Sequence, residues 1–88
     1  MKYLVTGAAG FIASKTAETL LNAGHEVVGI DNLNDYYDPN LKEHRLKGLR
    51  LKPGFEFQKL DIEDKVSLKA LFQKHKFDGV LNLAARAG

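Results

Sequence analysis

The stretch Gly7-Ala8-Ala9-Gly10-Phe11-Ile12-Ala13 decides the fold of this chain, because the hydrophobic pattern changes its period there. Residues 2–6, directly before it, are mostly apolar and predict a short strand. After it, small and apolar residues recur at spacings of three and four, which predicts a helix that Gly24 can end. The residues of that helical face are Ala13, Thr16, Ala17, Leu20 and Leu21.

The same alternation of strand and helix continues along the chain. We expect strands at residues 26–31, 55–60 and 79–84, a helix from Pro39 to about residue 48 or 51, and loops at residues 32–38 and 85–88. A third helix follows residues 61–64, with Leu68, Leu71 and Phe72 on one face. Short apolar strands that alternate with helices predict an α/β fold with a parallel sheet and helices on both faces.

The connections determine the topology of this sheet. Right-handed crossovers between consecutive parallel strands give the order 3-2-1-4. The sequence therefore predicts the N-terminal half of a Rossmann-type doubly wound sheet, and residues 1–88 as one partial domain of that type.

The composition excludes several classes of protein. The chain has 88 residues, of which 44% are hydrophobic, too many for a disordered protein. Without Cys it has no disulfide scaffold, thiolate metal site or cysteine nucleophile. We expect no metal site, because the three histidines show no ligand spacing, and we interpret His25, His44 and His75 as surface groups. No segment resembles a signal peptide or a membrane span, so we expect a cytoplasmic protein without a membrane partner.

The glycine-rich turn and the end of the second strand suit a dinucleotide. Gly7 and Gly10 let a pyrophosphate approach the backbone, and the following helix offers it N–H groups and the positive end of a dipole. Asp31 ends the second strand about 20 residues further on, where a carboxylate binds ribose and repels a 2′-phosphate. Together these features predict a nucleotide site that prefers NAD to NADP.

Other interpretations of these residues remain open. The turn can be a bare strand-to-helix connection. Lys15-Thr16 is similar to the end of a P-loop, although that motif needs Gly before the Lys, where this chain has Ser14. Residues 41–53 hold five Lys or Arg and one Glu, which we interpret as a solvated helix face, since no aromatic platform favours nucleic-acid binding.

Four segments give the chain a family resemblance. Gly7-x-x-Gly10-Phe11-Ile12-Ala13 resembles the cofactor fingerprint of the extended short-chain dehydrogenases/reductases, although Ala13 replaces the usual third Gly. Asp31-Asn32-Leu33, Asp61-Ile62 and Leu83-Ala84-Ala85 match that family in order and spacing. The stretch Asp31-Asn32-Leu33-Asn34-Asp35-Tyr36-Tyr37-Asp38-Pro39 resembles the nucleotide-sugar epimerases, most closely the UDP-glucuronate 4-epimerases. The similarity covers the whole chain but only the first quarter to third of a typical member.

The resemblance implies NAD as cofactor and a role for each matching position. Phe11 and Ile12 would contact the pyrophosphate through their backbone N–H groups, and Asp31 would hold the adenosine ribose. The other roles follow the strand ends: Asn32, Leu33 and Asn34 would line the wall beside the ribose, Asp61 and Ile62 would meet the adenine, and Leu83, Ala84, Ala85 and Arg86 would lie beneath the nicotinamide half. Arg86 stands where a smaller or amide residue is common. From the residues alone, Asp61 can instead cap the next helix, and Asn82 can be a polar core residue.

The resemblance also implies a reaction for which this chain lacks the residues. Members of the epimerase branch use a Tyr-x-x-x-Lys pair, in which the Tyr takes a proton from the sugar 4-hydroxyl while hydride passes to NAD. None of Tyr3, Tyr36 and Tyr37 has Lys four residues later. We therefore expect no catalytic residue in this chain, and we expect a nucleotide-sugar substrate and a homodimer for the full-length protein.

Three functions fit these observations. The first is the NAD-binding portion of an epimerase that acts at C4 of a UDP-sugar, with UDP-glucuronate as the leading substrate. The second is a nucleotide-sugar 4,6-dehydratase or reductase, and the third is a non-catalytic module that binds a nucleotide or a partner. We expect weak NAD affinity, because half of the pocket is missing, and self-association through the apolar edge strand at residues 80–84.

Overall fold

The computed structural model describes residues 1–32 and 39–83, with side chains in the second helix described from residue 43 onward. Within these residues, no helix combines the length and the apolar character that crossing a membrane needs. Strands and helices alternate as predicted. They are β1 (Lys2–Thr6), α1 (Phe11–Asn22), β2 (Glu26–Asp31), α2 (Pro39–Arg50), β3 (Phe55–Lys59), α3 (Lys65–Lys74) and β4 (Gly79–Asn82).

The four strands form one parallel sheet in the order β3-β2-β1-β4, which confirms the predicted topology. β1 lies between β2 and β4, so that Thr6, its last residue, pairs with Ile30 on one side and Asn82 on the other. From β1 the chain adds β2 and β3 on one side and then crosses back to add β4 on the other side, so the order in which strands are added reverses at β1. In a doubly wound sheet the loops at this reversal diverge and leave a crevice at the carboxyl ends of the strands.

Two apolar clusters cover the two faces of the sheet, as predicted. On one face, α1 and α2 pack Ala17 and Leu49 against Val5 of β1. On the other face, α3 packs Leu71 against Leu4. Leu4 and Val5 belong to opposite clusters because successive side chains of a strand point to opposite faces.

His75 corrects the interpretation of all three histidines as surface groups. His44 is exposed and His25 is half-buried, but His75 is buried directly after α3. Its ring stacks on Phe77 with 5.5 Å between ring centroids, and its Nδ1 lies 2.9 Å from Nζ of Lys2. The apolar spacing of α3 ends before this residue, so the sequence pattern holds no signal for its burial.

Two predicted details also differ from the structure. Phe72, expected on one face of α3 with Leu68 and Leu71, is 44% exposed, and its ring meets Phe77 edge-on with 5.5 Å between ring centroids. β3 and β4 end earlier than predicted, at Lys59 and Asn82.

Gly29 lies where β2 passes the turn that follows β1, and only glycine fits there. A Cβ on Gly29 would lie 2.7 Å from Cβ of Ala8 and 3.1 Å from the ring of Phe55. Gly48 in α2 is the opposite case, because a Cβ there would have no atom within 4 Å.

Substituting these two glycines by alanine is expected to change stability in opposite directions. Gly29→Ala overpacks the contact with Ala8 and should lower the free energy of unfolding by about 1–3 kcal/mol. Gly48→Ala adds helix propensity in open space and should raise it by about 0.5–1 kcal/mol. Urea unfolding followed by circular dichroism measures both values. Equal effects of the two substitutions would contradict this packing.

Candidate functional site

The glycine-rich turn is closed by a backbone hydrogen bond between its two glycines. Gly7 has a φ of 68°, in the left-handed region that favours glycine. The N–H of Gly10 donates to the carbonyl of Gly7 at 2.8 Å, and a Cβ on Gly10 would lie only 3.1 Å from that same oxygen. The turn itself therefore favours glycine at both positions, before any ligand is considered.

β2 holds this turn through its last two residues. The N–H of Ala8 donates to the carbonyl of Ile30 at 3.0 Å, and the N–H of Ala9 donates to Oδ2 of Asp31 at 3.0 Å. Asp31 is only 7% exposed. The structure thus places the predicted carboxylate directly beside the predicted turn, where the backbone of the turn already binds it.

The start of α1 is exposed, and no side chain among residues 1–32 and 39–83 caps it. Gly10 precedes the helix without a capping hydrogen bond, and the N–H of Ser14 makes the bond back to the carbonyl of Gly10. Phe11 and Ile12 are 62% and 69% exposed, which is high for large apolar side chains. The first N–H groups of a helix lie at the positive end of its dipole, so this surface suits a phosphate group.

Arg45 of α2 also reaches this turn, a contact that the sequence pattern does not predict. Its Nη1 donates to the carbonyl of Ala9 at 3.1 Å, and its guanidinium carbon lies 5.8 Å from the ring centroid of Phe11. A solvated helix face is correct for Lys47 and Arg50, which are exposed, but wrong for the half-buried Arg45. One feature of the sequence could have indicated this position: Arg45 directly precedes Leu46, which belongs with Leu49 to the apolar face of the helix.

The end of β3 lies beside the end of β2. The N–H of Leu60 donates to the carbonyl of Asp31 at 3.1 Å, which puts Asp61 and Ile62 next in line. Asp61 accepts from the N–H of Glu63 at 2.9 Å. Ile62 packs, half-buried, against the apolar cluster beneath α3.

Asp64, not Asp61, caps α3, so the capping interpretation of Asp61 is wrong. The carboxylate of Asp64 accepts from the backbone N–H of Ser67 at 3.2 Å and from its hydroxyl at 2.8 Å. Because the hydroxyl and the N–H of Ser67 both donate to the ionised form, they hold the pKa of Asp64 below its ordinary value.

Thr6 joins the carboxyl ends of β1 and β4. Its hydroxyl donates to Oδ1 of Asn82 at 2.7 Å and accepts from the N–H of Leu83 at 2.9 Å. Thr6 is buried, whereas Asn82 is exposed, so Asn82 is not a polar core residue. This contact fixes the predicted site residue Leu83 at the same edge of the sheet as the turn.

The predicted site residues therefore divide into three groups. Gly7, Gly10, Phe11, Ile12 and Asp31 meet around one turn, and Asn32, Asp61, Ile62 and Leu83 follow neighbouring strand ends. Lys15 is the fifth residue of α1 and is exposed, whereas the Lys of a P-loop directly follows the last glycine of the loop, so the structure disfavours the P-loop interpretation. The remaining predicted residues lie outside those that the structure describes: Leu33, Asn34, Ala84, Ala85 and Arg86.

Comparison with known proteins identifies the family. The sequence profile of the GDP-mannose 4,6 dehydratase family matches residues 4–88. The chain belongs to this family. The match confirms the resemblance to the extended short-chain dehydrogenases/reductases of the epimerase and dehydratase type.

Three relatives illustrate the similarity. UDP-glucuronate 4-epimerase of Thermodesulfobacterium geofontis is 48% identical over 98% of this chain and 27% of its own length. UDP-glucuronic acid 4-epimerase from Bacillus cereus, solved with UDP-glucuronic acid and NAD, is 42% identical with a TM-score of 0.86 over 100% of this chain and 27% of that chain. dTDP-glucose 4,6-dehydratase from Bacillus anthracis, solved with NAD, is 26% identical with a TM-score of 0.83 over 98% of this chain and 27% of that chain. This chain spans about a quarter of the length of these relatives.

Removing the Asp31 carboxylate is expected to destabilise the turn. Asp31→Ala leaves the buried N–H of Ala9 without this acceptor and should lower the free energy of unfolding by about 1–3 kcal/mol. Asp31→Asn keeps a side-chain oxygen at the same position and should lower it less. Urea unfolding compares the two variants, and equal losses would show that the bond to Ala9 contributes nothing.

Proposed function

We propose that the chain is the NAD-binding portion of a nucleotide-sugar epimerase, a partial Rossmann domain over residues 1–88. The reaction we propose for the full-length protein is epimerisation at C4 of a UDP-sugar, with UDP-glucuronate as the leading substrate. One observation carries the proposal. An uncapped, exposed helix start lies beside the carboxylate of Asp31, in a chain 48% identical to a UDP-glucuronate 4-epimerase.

The residues around the turn fit the two ends of the adenosine diphosphate half of NAD. In our proposal the N–H groups of Phe11 and Ile12 bind the pyrophosphate, and Gly7 and Gly10 keep side chains away from it. Asp31 accepts hydrogen bonds from the adenosine ribose and repels a 2′-phosphate, which gives the preference for NAD over NADP.

The other proposed contacts follow the neighbouring strand ends. They are supported by the common edge at which parallel strands end. We propose Asn32, Leu33 and Asn34 for the wall beside the ribose, Asp61 and Ile62 for the adenine, and Leu83, Ala84, Ala85 and Arg86 for the nicotinamide half.

The division of chemistry in this proposal is simple. Bound NAD supplies reversible hydride transfer, through which C4 of a sugar can be oxidised and then reduced on its opposite face. The residues of this chain bind and orient the cofactor, and the catalytic Tyr-x-x-x-Lys pair is not among its 88 residues.

Two alternatives have specific support. A 4,6-dehydratase is favoured by the family profile and by the Bacillus anthracis relative. A non-catalytic module that binds a nucleotide or a partner is the other alternative, since the closed turn and Asp31 would suit a bound nucleotide without any catalytic residue. We also propose that the protein is cytoplasmic and forms a homodimer.

The activity is tested on the reading frame that encodes this chain together with any codons that follow codon 88. The purified product is incubated with NAD and UDP-glucuronate, and the sugar is analysed by chromatography and mass spectrometry. We expect conversion to the C4 epimer at unchanged mass. UDP-glucuronate carries a carboxylate at C6 and has no 6-hydroxyl to lose as water, so dTDP-glucose is incubated in a parallel reaction. A product one water lighter from dTDP-glucose would establish the dehydratase, and a stop after codon 88 with no conversion of either substrate would leave the non-catalytic module.

Self-association is expected through the edge strand β4. β4 lies at one end of the strand order, and Val80 on it is 49% exposed. An apolar strand at a sheet edge pairs readily with another chain, and a charge there opposes such pairing. Val80→Lys should therefore reduce self-association measured by sedimentation velocity, whereas Val66→Lys, on the exposed surface of α3, should not. A wild-type chain that stays monomeric at high concentration would contradict the expectation.

A further inference from the structure

Each of three successive peptide groups in the turn between β1 and α1 has its own hydrogen-bond partner. The N–H between Gly7 and Ala8 is bound by the carbonyl of Ile30, and the next N–H is bound by the carboxylate of Asp31. The third peptide group joins Ala9 to Gly10. Its N–H bonds within the turn to the carbonyl of Gly7, and its carbonyl accepts from Arg45. For the peptide group between Ala9 and Gly10, the hydrogen bond to a residue outside the turn is therefore the one from Arg45.

The packing of α2 limits where the guanidinium of Arg45 can go. Leu46, the residue after Arg45, is buried, and so is Leu49, which lies one helical turn beyond Arg45. Leu49 packs in the same apolar cluster as Ala13 of α1. Arg45 therefore leaves the helix at the border of its buried face. Its position relative to α1 is set by the contact between two helices.

The guanidinium of Arg45 contacts two residues on either side of Gly10. It donates to the carbonyl of Ala9 and lies over the ring of Phe11, whose side chain is otherwise largely exposed. A planar guanidinium can donate in its plane while it stacks on a ring with its face. One side chain from α2 therefore holds both the last residue of the turn and the first residue of α1.

We propose that Arg45 is a positioning residue for NAD, which keeps the first N–H groups of α1 oriented for the diphosphate by fixing the carbonyl of Ala9 and the ring of Phe11. The inference rests on the proposed function and adds to it a residue from outside the glycine fingerprint. Arg45 acts through the turn, so its effect is present before the cofactor binds.

Arg50 provides a matched control on the same helix. Its guanidinium carbon lies 5.5 Å from the ring centroid of Phe57, so Arg50→Met also removes one positive charge and one contact with an aromatic ring. Arg50 is exposed, and its described contact lies on β3 rather than on the turn. Arg45→Lys is the second comparison, because it keeps the charge but loses the planar group.

The first experiment measures amide hydrogen exchange of the chain without NAD. Arg45→Met should accelerate exchange at Ala9 and Gly10 by about tenfold, the loss expected for one charge-assisted hydrogen bond. Arg50→Met should leave these two amides unchanged, and the amides of Val5 and Val28 should exchange alike in both variants. Equal exchange at Ala9 and Gly10 in the two Met variants would overturn the proposal.

The second experiment measures the Kd for NAD by calorimetry in the same variants. Arg45→Met should raise the Kd about tenfold, and Arg50→Met should leave it close to that of the wild type. Arg45→Lys is compared with Arg45→Met. If the Lys variant binds NAD as tightly as the wild type while its Gly10 amide exchanges as fast as in the Met variant, the positive charge alone accounts for the affinity, and the positioning role is wrong. A wild-type chain that does not bind NAD would contradict the proposed function, while the exchange data would still decide whether Arg45 holds the turn.

Discussion

The register between β1 and β2 is the constraint on which the site depends. Thr6 pairs with Ile30, so the residues that follow Thr6 lie beside the end of β2. Ala8 then packs where Gly29 has no Cβ, and the N–H of Ala9 meets the carboxylate of Asp31. A shift of one residue in this register would turn the side chains of β2 to opposite faces and separate the turn from Asp31.

Gly7, Gly10 and Asp31, the residues that predict a nucleotide site, each have a structural role that does not depend on a ligand. The geometry of a closed turn favours glycine at positions 7 and 10, and Asp31 binds a buried N–H of that turn. A bare strand-to-helix connection would explain all three. The feature that it does not explain is the exposure of Phe11 and Ile12 at a helix start without a cap, where a ligand gains access to the first N–H groups.

The spacing of apolar residues predicted the fold well, because it indicates whether one face or both faces of an element are buried. The elements, the strand order and the position of Asp31 beside the turn all followed from it. Contacts of long polar side chains did not, because they depend on where a helix comes to lie. Arg45 reaches Ala9 across 36 positions of the chain, and His75 is buried after its helix has ended. Local chemistry was equally ambiguous at Asp61 and Asp64, of which Asp64 caps α3.

The most direct test of the central claim is a titration of the isotope-labelled chain with NAD and with NADP, followed by amide chemical shifts. The account predicts shifts centred on Gly10, Phe11 and Ile12 at the start of α1, with NAD binding weakly but more tightly than NADP. Submicromolar affinity would contradict the expectation of an incomplete pocket. Absence of shifts at these amides, or equal binding of both nucleotides, would contradict the assignment of the turn and Asp31 to an NAD site.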